Sequence, residues 1–326
     1  HTQIIYSYIL RKYHRILFNL KIDKITNDIA RKVDMSQISC VHATTLFSDG
    51  AVALQLKRRY GIPYVVAVRN TDVNDFLKLA PHLWWVHRAV IREADAVISI
   101  TPALQQRIQN HWTLIGMRDE IQRKGRVIAN GINDYWLTHL HLDAQQHAKS
   151  HRICYVGLFD DNKNVQSLVN AVLALKSEIP DIHLDLVGGN GNKEAEVLEV
   201  VKQHPDVLTY CGKIYEKDKL QEVYLRNSIF AMPSKTETFG LVYVEALSQG
   251  LSVLYTKGEG IDGLFEEPIG EKVDARSEES IRLALKSLIV NPERYAVLPA
   301  ERFQQFDWSA VAMIYQKIYN QIFQNR

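Results

Sequence analysis

The chain has 326 residues, 46% of them hydrophobic and 23% charged, which is the composition of an ordinary globular protein long enough for two domains. With 39 Lys and Arg against 37 Asp and Glu, the formal net charge is only +2, so we expect no general attraction to nucleic acid. No apolar run approaches the roughly 18–20 residues of a membrane-spanning helix, and the start does not resemble a signal peptide, so we expect a cytoplasmic protein.

Residues 5–32 form a basic segment with an apolar stripe. Between residues 1 and 33 there are seven basic and two acidic residues, mixed with Ile, Leu and Tyr at helical spacing. Such a segment either makes a weak contact with an anionic membrane or is an amphipathic domain helix with a solvated basic face. The first interpretation would place the protein peripherally at the inner face of the membrane.

The first half of the chain alternates short apolar runs with helical patterns. Buried strands are predicted at residues 38–42, 63–68 and 96–100, with a helix over roughly residues 49–60. Thr101 and Pro102 suit the N-cap and the first turn of a further helix. This alternation predicts a doubly wound parallel sheet, and residues 126–132 end the first domain.

The second half repeats the pattern after a polar stretch around residues 134–151, which we interpret as a hinge. Strands are predicted at residues 153–157, 183–188, 208–212, 228–233 and 251–255. Gly157, Gly188 and Gly212 each fall at the carboxyl end of a strand, where sheets of this kind bind ligands. The three cysteines are widely spaced in apolar runs, and we expect reduced core residues.

Two acids, Glu237 and Glu245, lie on either side of a predicted helix start, and Gly250 ends that helix. Eight helical residues span roughly 12 Å, so one carboxylate can reach a sugar while the other reaches a ribose beyond a diphosphate. The free N–H groups of the helix start suit the phosphates. Alternatively, both acids are ordinary helix residues.

This segment, E-T-F-G-L-V-Y-V-E-A-L-S-Q-G, resembles the signature of the retaining family 4 (group 1) glycosyltransferases, which have the GT-B fold. The resemblance implies two Rossmann-like α/β domains whose parallel sheets face a cleft. Residues 1–135 would form the acceptor-side domain, residues 136–305 the donor-binding domain, and residues 306–326 a helix that crosses back. Family members begin with a strand and a glycine-rich loop that this sequence lacks, so we expect a truncated first domain.

The family transfers a sugar, with retention of anomeric configuration, from a nucleotide diphosphate sugar to a hydroxyl of a sugar or lipid-linked saccharide. By resemblance, Glu237 holds the hydroxyls of the donor sugar and Glu245 binds the ribose. Lys163 matches the lysine that contacts the diphosphate, whereas Leu158 replaces the arginine of the same motif. Gly157 belongs to the same motif, and Gly212, Lys213 and Ile214 resemble the family segment whose main chain pairs with the base. The N–H groups near Phe239, Gly240 and Leu241 suit the diphosphate. Gly188 either lets the backbone approach the nucleotide or only forms a turn. Residues 257–263 either edge this pocket or form a glycine-rich turn.

In the first domain, Arg69 and Asp72 occupy the place of a His-Gly-x-Asp motif, with Arg69 in place of the His. Arg69 cannot act as a general base, but it can bind an anion or sugar hydroxyls, and it is predicted to take part in catalysis. The substitution resembles a branch that builds bacterial surface polysaccharides. The alternative for Arg69 is a salt-bridged strand end. Asn130 matches the domain crossing of the family and is predicted to face the cleft.

His139, His141, His147 and His151 lie in the polar hinge without Cys or clustered carboxylates, and no Asp-x-Asp triplet occurs. We therefore predict no metal and no cofactor; the nucleotide sugar, UDP- or GDP-linked, is the substrate of a metal-independent hexosyltransferase. Two other interpretations stay open. One is a nucleotide-sugar 2-epimerase of the same fold, and the other is a non-catalytic donor-binding subunit, suggested by Leu158, Arg69 and the missing loop.

Overall fold

The computed structural model describes residues 3–15, 17–143 and 151–324, which form two compact units. The first comprises His1–Ile100, Leu104–Ile128 and Ala312–Arg326, and the second comprises Thr101–Ala103 and Ala129–Val311. Within the described residues each unit contains one parallel sheet with helices between its strands. The predicted α/β class with two parallel sheets is therefore confirmed.

The first unit is built on four parallel strands in the order β1-β2-β3-β4 within the described chain. These are β1 (Val41–Ala43), β2 (Tyr64–Ala67), β3 (Ala96–Ser99) and β4 (Gly125–Val127). The helices of this half are α1 (Phe18–Lys32), α2 (Ser48–Tyr60), α3 (Leu77–Leu79), α4 (Trp84–Glu93), α5 (Pro102–Asn110) and α6 (Arg118–Lys124). Every residue of β2 and β3 is buried, because helices cover both faces of a parallel sheet.

Helix α1 packs on α2 through Ile22 and Thr26, which are buried. Asp23 accepts a hydrogen bond from Gln55 Nε2 of α2 at 2.7 Å, and Lys21 Nζ donates to Ser48 Oγ at 2.7 Å. The amphipathic domain helix is thus confirmed for residues 18–32. The helical spacing was misleading earlier in the segment, where the described residues form one short 3₁₀ helix at Lys12–Arg15.

The second unit is built on six parallel strands, in the order β10-β9-β8-β5-β6-β7 among the described residues. They are β5 (Arg152–Leu158), β6 (His183–Gly189), β7 (Leu208–Gly212), β8 (Ile229–Ala231), β9 (Ser252–Thr256) and β10 (Gly270–Val273). The first five were predicted, and β10 was not. Gly157 and Gly188 are register partners at the carboxyl ends of β5 and β6.

The helices of the second half include α11, which follows β8 as predicted. They are α7 (Asp134–Thr138), α8 (Val165–Leu175), α9 (Glu194–Gln203), α10 (Lys217–Leu225), α11 (Leu241–Ser248), α12 (Glu278–Val290) and α13 (Trp308–Gln324). Gly250, at φ +82°, ends α11 in the left-handed conformation that favours glycine.

Aromatic side chains fill the core beneath α11. Tyr224 meets Phe230 edge to face at 6.2 Å between ring centroids, and Phe230 meets Tyr243 at 5.3 Å. Cys154 is buried in this unit, whereas Cys40 and Cys211 are half-buried, so only one of the three is a core residue as predicted. None of the helices in the described ranges has the length and apolar character needed to cross a bilayer.

Candidate functional site

A cavity of about 430 Å³ opens in the second unit at the carboxyl ends of β5 and β8. Its volume lies in the range of roughly 300–1,000 Å³ that is typical of sites for small molecules. Predicted site residues form more than half of its lining: Asn130, Gly157, Lys163, Glu237, Phe239, Gly240 and Leu241. Val156, Leu158, Met232, Thr238 and Val242 complete the described lining.

Lys163 and Glu237 form an ion pair at this cavity. Lys163 Nζ lies 2.6 Å from Glu237 Oε2, and the two side chains are 23% and 10% exposed, so the pair is shielded from bulk water without being sealed. The backbone around Lys163 is fixed on both sides. Its N–H donates to Asp160 Oδ1 at 2.6 Å, and the buried Asn164 Nδ2 donates to the carbonyl of Ala275 at 2.7 Å.

Glu237 is held by a second loop, residues 257–263. The N–H of Glu237 donates to Glu259 Oε2 at 2.9 Å, and the N–H of Gly260 donates to the carbonyl of Glu237 at 3.1 Å. Gly260, at φ +52°, passes so close that a Cβ there would lie 3.0 Å from Glu237 Cγ. The glycine-rich sequence left open whether this loop edges the pocket or only forms a turn, and it did not single out Glu259 as the residue that holds Glu237.

The N-terminus of α11 lies at the same cavity, where it presents Leu241 and Val242. Gly240 precedes it at φ +77° and provides no side-chain cap. The first N–H groups of an α-helix have no partner within the helix and mark its positive end. This end is therefore suited to an anionic group in the cavity.

Leu158 also lines the cavity, and its side chain is exposed. It stands where the family motif has an arginine. Among the lining residues that the structure describes, Lys163 is the one cationic side chain. An anion at this site would therefore be neutralised by one ammonium group and the end of α11, and not by two cations.

Gly188 approaches the neighbouring strand closely, since a Cβ at this position would lie 1.8 Å from the carbonyl oxygen of Gly157. Gly212 follows at the end of β7 with φ +76°. Lys213 Nζ donates to Asn190 Oδ1 at 2.6 Å, and Ile214 is half-buried. None of Gly188, Gly212, Lys213 and Ile214 is among the described residues that line the cavity.

Glu245 lies on α11 next to Trp136 and Tyr224, and it too is absent from the described lining of the cavity. Burial raises the pKa of its carboxyl group to about 7, although the Trp136 side chain and the charge of Lys217 act in the opposite direction. This acid is therefore partly protonated near neutral pH, a property that the spacing of the two acids did not reveal.

In the first unit, Asp72 is buried and holds the backbone. Its carboxylate accepts hydrogen bonds from the N–H groups of Leu46 at 3.0 Å, Phe47 at 3.2 Å and Arg69 at 2.8 Å. Burial raises the pKa of Asp72, and these backbone hydrogen bonds lower it by less. Asp72 is thus occupied within its own unit, where it fixes two loops.

Arg69 is half-buried, and its Nε donates to the carbonyl of Thr44 at 3.2 Å. The charge of Arg69 adds to burial in lowering the pKa of His42, and it opposes the increase that burial causes in the pKa of Tyr315. Arg69 is therefore close to both side chains. Over the described ranges Arg69 has no ion pair, so the salt-bridged alternative finds no partner there.

No group of three or more His, Cys, Asp and Glu side chains suited to a metal occurs among the described residues. His139 stacks on Tyr135 at 4.2 Å between centroids, and His151 Nδ1 lies 2.7 Å from Asp181 Oδ1. His147 falls outside the described residues. His141 Nδ1 lies 3.3 Å from the carbonyl oxygen of His139, so these two histidines are neighbours, whereas His151 contacts Asp181.

Comparison with known proteins agrees with the two parallel sheets. Residues 142–301 match the model of the family "Glycosyl transferases group 1", and residues 17–115 match that of the family "Glycosyl transferase 4-like domain". An uncharacterized glycosyltransferase of Methanocaldococcus jannaschii is 21% identical over 96% of this chain and 83% of its own length. The D-inositol 3-phosphate glycosyltransferase of Rhodococcus opacus is 24% identical over 81% of this chain, which spans only 63% of that protein.

Among solved structures, the Anabaena protein HepE in complex with UDP is similar in fold. Its TM-score is 0.63 at 16% identity, and the match covers 92% of this chain and 81% of that one. The two family models together span most of the sequence, one in each half. The chain therefore belongs to the group 1 glycosyltransferases and has the GT-B fold.

Proposed function

We propose that this glycosyltransferase moves a sugar from a nucleotide diphosphate sugar to an acceptor hydroxyl, with retention of anomeric configuration, in the synthesis of a cell-surface polysaccharide. One observation carries the proposal. The cavity of the second unit places the Lys163–Glu237 ion pair, 2.6 Å apart, beside the uncapped N-terminus of α11. The Glu237 carboxylate, which can accept hydrogen bonds from sugar hydroxyls, thus lies next to Lys163 and a helix N-terminus, both of which attract phosphate.

The chemical barrier is charge separation. The bond between the anomeric carbon and the diphosphate oxygen breaks while the bond to the acceptor oxygen forms, and the acceptor proton passes to the departing phosphate oxygen on the same face of the sugar. Lys163 and the amides near Phe239, Gly240 and Leu241 stabilise the negative charge that develops on the diphosphate. The Lys163 ammonium would exchange its contact with Glu237 for one with phosphate, which frees Glu237 to accept hydrogen bonds from the donor sugar.

The other roles follow the family resemblance. Glu245 binds the ribose, and the turns at Gly157, Gly188 and Gly212 let the backbone approach the nucleotide. The main chain of Gly212, Lys213 and Ile214 contacts the base. Arg69 binds an anion or sugar hydroxyls of the acceptor, and Asn130 also faces the acceptor. Asp72 supports Arg69 indirectly, because it accepts the Arg69 N–H and fixes the loop that carries this residue.

The donor would be a UDP- or GDP-linked sugar, and the presence of UDP in the HepE structure favours UDP as the first to test. The acceptor would be a sugar or a lipid-linked saccharide at the inner face of the membrane. The part of residues 5–32 that precedes α1 would be in weak contact with anionic lipid. The reaction would need no metal, since Lys163 and the end of α11 take the charge that a divalent cation takes in other sites.

Leu158 favours a second candidate, a donor-binding protein without transfer activity. It lines the cavity where the family motif has a second cation, so the leaving group would be less well neutralised than in relatives that have the arginine. Such a protein would bind nucleotide and release none from a donor sugar.

A donor panel separates these candidates. Purified protein is incubated with UDP- and GDP-linked sugars, with and without a saccharide acceptor and in EDTA, and the released nucleoside diphosphate is measured. Transfer predicts acceptor-dependent release that persists in EDTA.

Lys163→Met should lower this rate of release by roughly 100-fold or more. The control is Lys176→Met, which removes a lysine paired with Asp206 at the other end of α8. Nucleotide binding without release would contradict transfer, and activity restored only by Mg²⁺ or Mn²⁺ would contradict metal independence.

A further inference from the structure

Two loops of the second unit carry the ion pair of the cavity, one after β5 and one after β8. Asn162 precedes Lys163 in the first loop, and Thr236 precedes Glu237 in the second. Asn162 Nδ2 donates to the carbonyl of Thr236 at 3.0 Å. In return, Asn162 Oδ1 accepts from the N–H of Thr236 at 3.2 Å and from its hydroxyl at 2.6 Å. We call these three hydrogen bonds the Asn162–Thr236 clamp.

Further hydrogen bonds tie the loop of Lys163 to the segment that follows β8. The N–H of Lys235 donates to the carbonyl of Asn162 at 2.7 Å. On the other side of Lys163, the side chain of Asn164 donates through Nδ2 to the carbonyl of Pro233 at 3.2 Å. Both neighbours of Lys163 in the chain are therefore bonded to the same segment of the second loop.

The Asn162–Thr236 clamp lies at the surface, because both of its residues are exposed. Hydrogen bonds between exposed groups compete with water and add little to the stability of a fold. What the clamp does fix is the separation of the two loops, at the residues that immediately precede Lys163 and Glu237. We therefore expect its loss to change the geometry of the cavity more than the stability of the unit.

Such support matters for Lys163 because its side chain is long and flexible. A lysine ammonium sits on a four-carbon chain, and a group that acts through its charge is most effective when it is held in place before the reaction. Leu158 stands where the family motif has an arginine, and Lys163 is the one cationic side chain in the described lining of the cavity. A second cation of that lining therefore cannot compensate for a displaced Lys163.

We propose that Asn162 is a positioning residue, which holds Lys163 and Glu237 at ion-pair distance so that the ammonium meets the diphosphate of the donor. Asn162 and Thr236 are both absent from the described lining of the cavity, so they act through the two loops and not by contact with the ligand. The identity of the anion as a diphosphate rests on the proposed function.

Chemical labelling tests the position of Lys163 without any substrate. The whole protein is treated with an amine-acylating reagent, and the modification rate of each lysine is followed by mass spectrometry. In the wild type, Lys163 should react more slowly than the exposed Lys202, because its ion pair and partial burial protect it. Asn162→Ala should raise the labelling rate of Lys163 at least about threefold and leave that of Lys202 unchanged.

Turnover and nucleotide binding test the consequence for the site. In Asn162→Ala, kcat should fall by about tenfold or more, because the charge of Lys163 is no longer held in place. The affinity for UDP, measured by calorimetry, should fall by about fivefold. UMP lacks the β-phosphate and should bind to Asn162→Ala as it binds to the wild type. GDP and GMP replace this pair if the donor panel selects guanosine.

Variants of Thr236 make the test independent of one substitution. Thr236→Val removes one of the three hydrogen bonds and should cause the same changes to a smaller extent, whereas Thr236→Ser keeps the hydroxyl and should behave as the wild type does. Adding Thr236→Val to Asn162→Ala should cause no further loss, since both act on one clamp. The control is Asn170→Ala, which removes another long-range amide hydrogen bond of this unit, to Glu278 Oε1 at 2.9 Å.

Two results would overturn the proposal. One is an unchanged labelling rate of Lys163 in Asn162→Ala. The other is an equal loss of UDP and UMP affinity together with a lower melting temperature, which would indicate a general structural role. A wild type that neither binds nucleotide nor releases nucleoside diphosphate would contradict the proposed function alone, because the labelling rates still show whether Asn162 positions Lys163.

Discussion

Glu237 in the second unit and Asp72 in the first both follow a buried strand of a parallel sheet, and their surroundings differ. Asp72 is 1% exposed and accepts three backbone N–H groups, which are fixed donors. Glu237 faces a cavity. Its carboxylate accepts one backbone N–H, that of Thr238 at 3.0 Å, and pairs with the ammonium of Lys163, which can move. The main partners of a buried carboxylate therefore distinguish a structural role from a ligand-binding role. Several fixed backbone N–H groups indicate support of the fold, and a mobile cation at a cavity indicates a site for a ligand.

The largest effect is expected at Glu237. Glu237→Gln keeps the shape of the side chain but removes the negative charge of the carboxylate that accepts hydrogen bonds from the sugar hydroxyls. We therefore expect kcat to fall by roughly 100-fold or more. Nucleoside diphosphate affinity, measured by calorimetry, should change little because the ribose and base contacts lie elsewhere. Glu266→Gln, an exposed acid of the same unit, is the control. Equal losses of kcat and of nucleotide affinity would show that the two glutamates have been assigned to the wrong groups.

Glu245 should make the stability of the second unit depend on pH. Its pKa is raised from 4.5 to about 7 in the folded protein, so the folded state favours the protonated acid. The contribution of protonated Glu245 to the free energy of unfolding is fully present below about pH 4.5, and it is lost as the pH rises through about 7. Glu245→Gln should remove this dependence, and at pH 8 it should raise the free energy of unfolding by at most about 3 kcal/mol. Urea unfolding between pH 5 and 8 measures it, with Glu222→Gln as control; parallel curves for wild type and Glu245→Gln would contradict the prediction.

The ribose role of Glu245 has its own test. Glu245→Ala should weaken nucleoside diphosphate binding by about 1.5–3 kcal/mol, the scale of hydrogen bonds to a charged group. Because ribose hydroxyls donate to the ionised acid, wild-type affinity should also decrease below pH 7. Titration calorimetry at pH 6 and pH 8 measures both effects. A dissociation constant that the substitution leaves unchanged would remove Glu245 from the nucleotide site.

At Asp72 the expected loss concerns stability. Asp72→Asn offers one acceptor oxygen in place of two and turns an amide N–H₂ toward backbone donors, so unfolding should become easier by about 1–3 kcal/mol. Thermal melting measures the loss, and Asp75→Asn, an exposed acid one turn further on, should leave the melting temperature unchanged. The donor affinity of Asp72→Asn should equal that of the wild type; a selective loss of donor affinity at full stability would place Asp72 in the site.

The smallest effect per residue concerns the basic segment. Neutralising Arg11, Lys12 and Arg15 to Gln should weaken binding to anionic vesicles by about 1 kcal/mol at most for each residue. Turnover on a short soluble acceptor should not change. The double variant Arg31→Gln, Lys32→Gln, at the last turn of the packed helix α1, serves as comparison. If the wild type ignores anionic vesicles at low salt, residues 5–32 have only a structural role.

The sequence was informative where one local pattern decides the structure. Strands β2 and β3 are continuous apolar runs, and α11 has clear start and stop signals, so their prediction was confirmed. Strand β10 was missed because its four residues, Gly270–Val273, bury only Val273 and show no pattern.

The surroundings of each acid could not be predicted in the same way. Glu259 meets the N–H of Glu237 only once the chain has folded, and Trp136 comes from a distant helix to lie against Glu245. Burial likewise depends on tertiary packing, since Trp84 and Trp85 in an apolar helical run look like core residues and are half exposed. Residue types and spacing thus indicated the cavity, while long-range contacts determine the charge and support of its acids.

Because Gly240 provides no side-chain cap, a ligand bound at the start of α11 would help to stabilise the fold. A Gly at an N-cap is only about a few tenths of a kcal/mol less favourable to a helix than Ser, Asp or Asn, and α11 begins with this less favourable cap. A side-chain cap cannot be added simply, because a Cβ at residue 240 would lie 2.4 Å from the Tyr243 ring. A bound anion would then act as the missing cap, so that loss of the ligand leaves this helix end under-stabilised. Because a side chain at residue 240 would meet the Tyr243 ring, selection for stability could not replace the ligand at this helix end without a second change in the core.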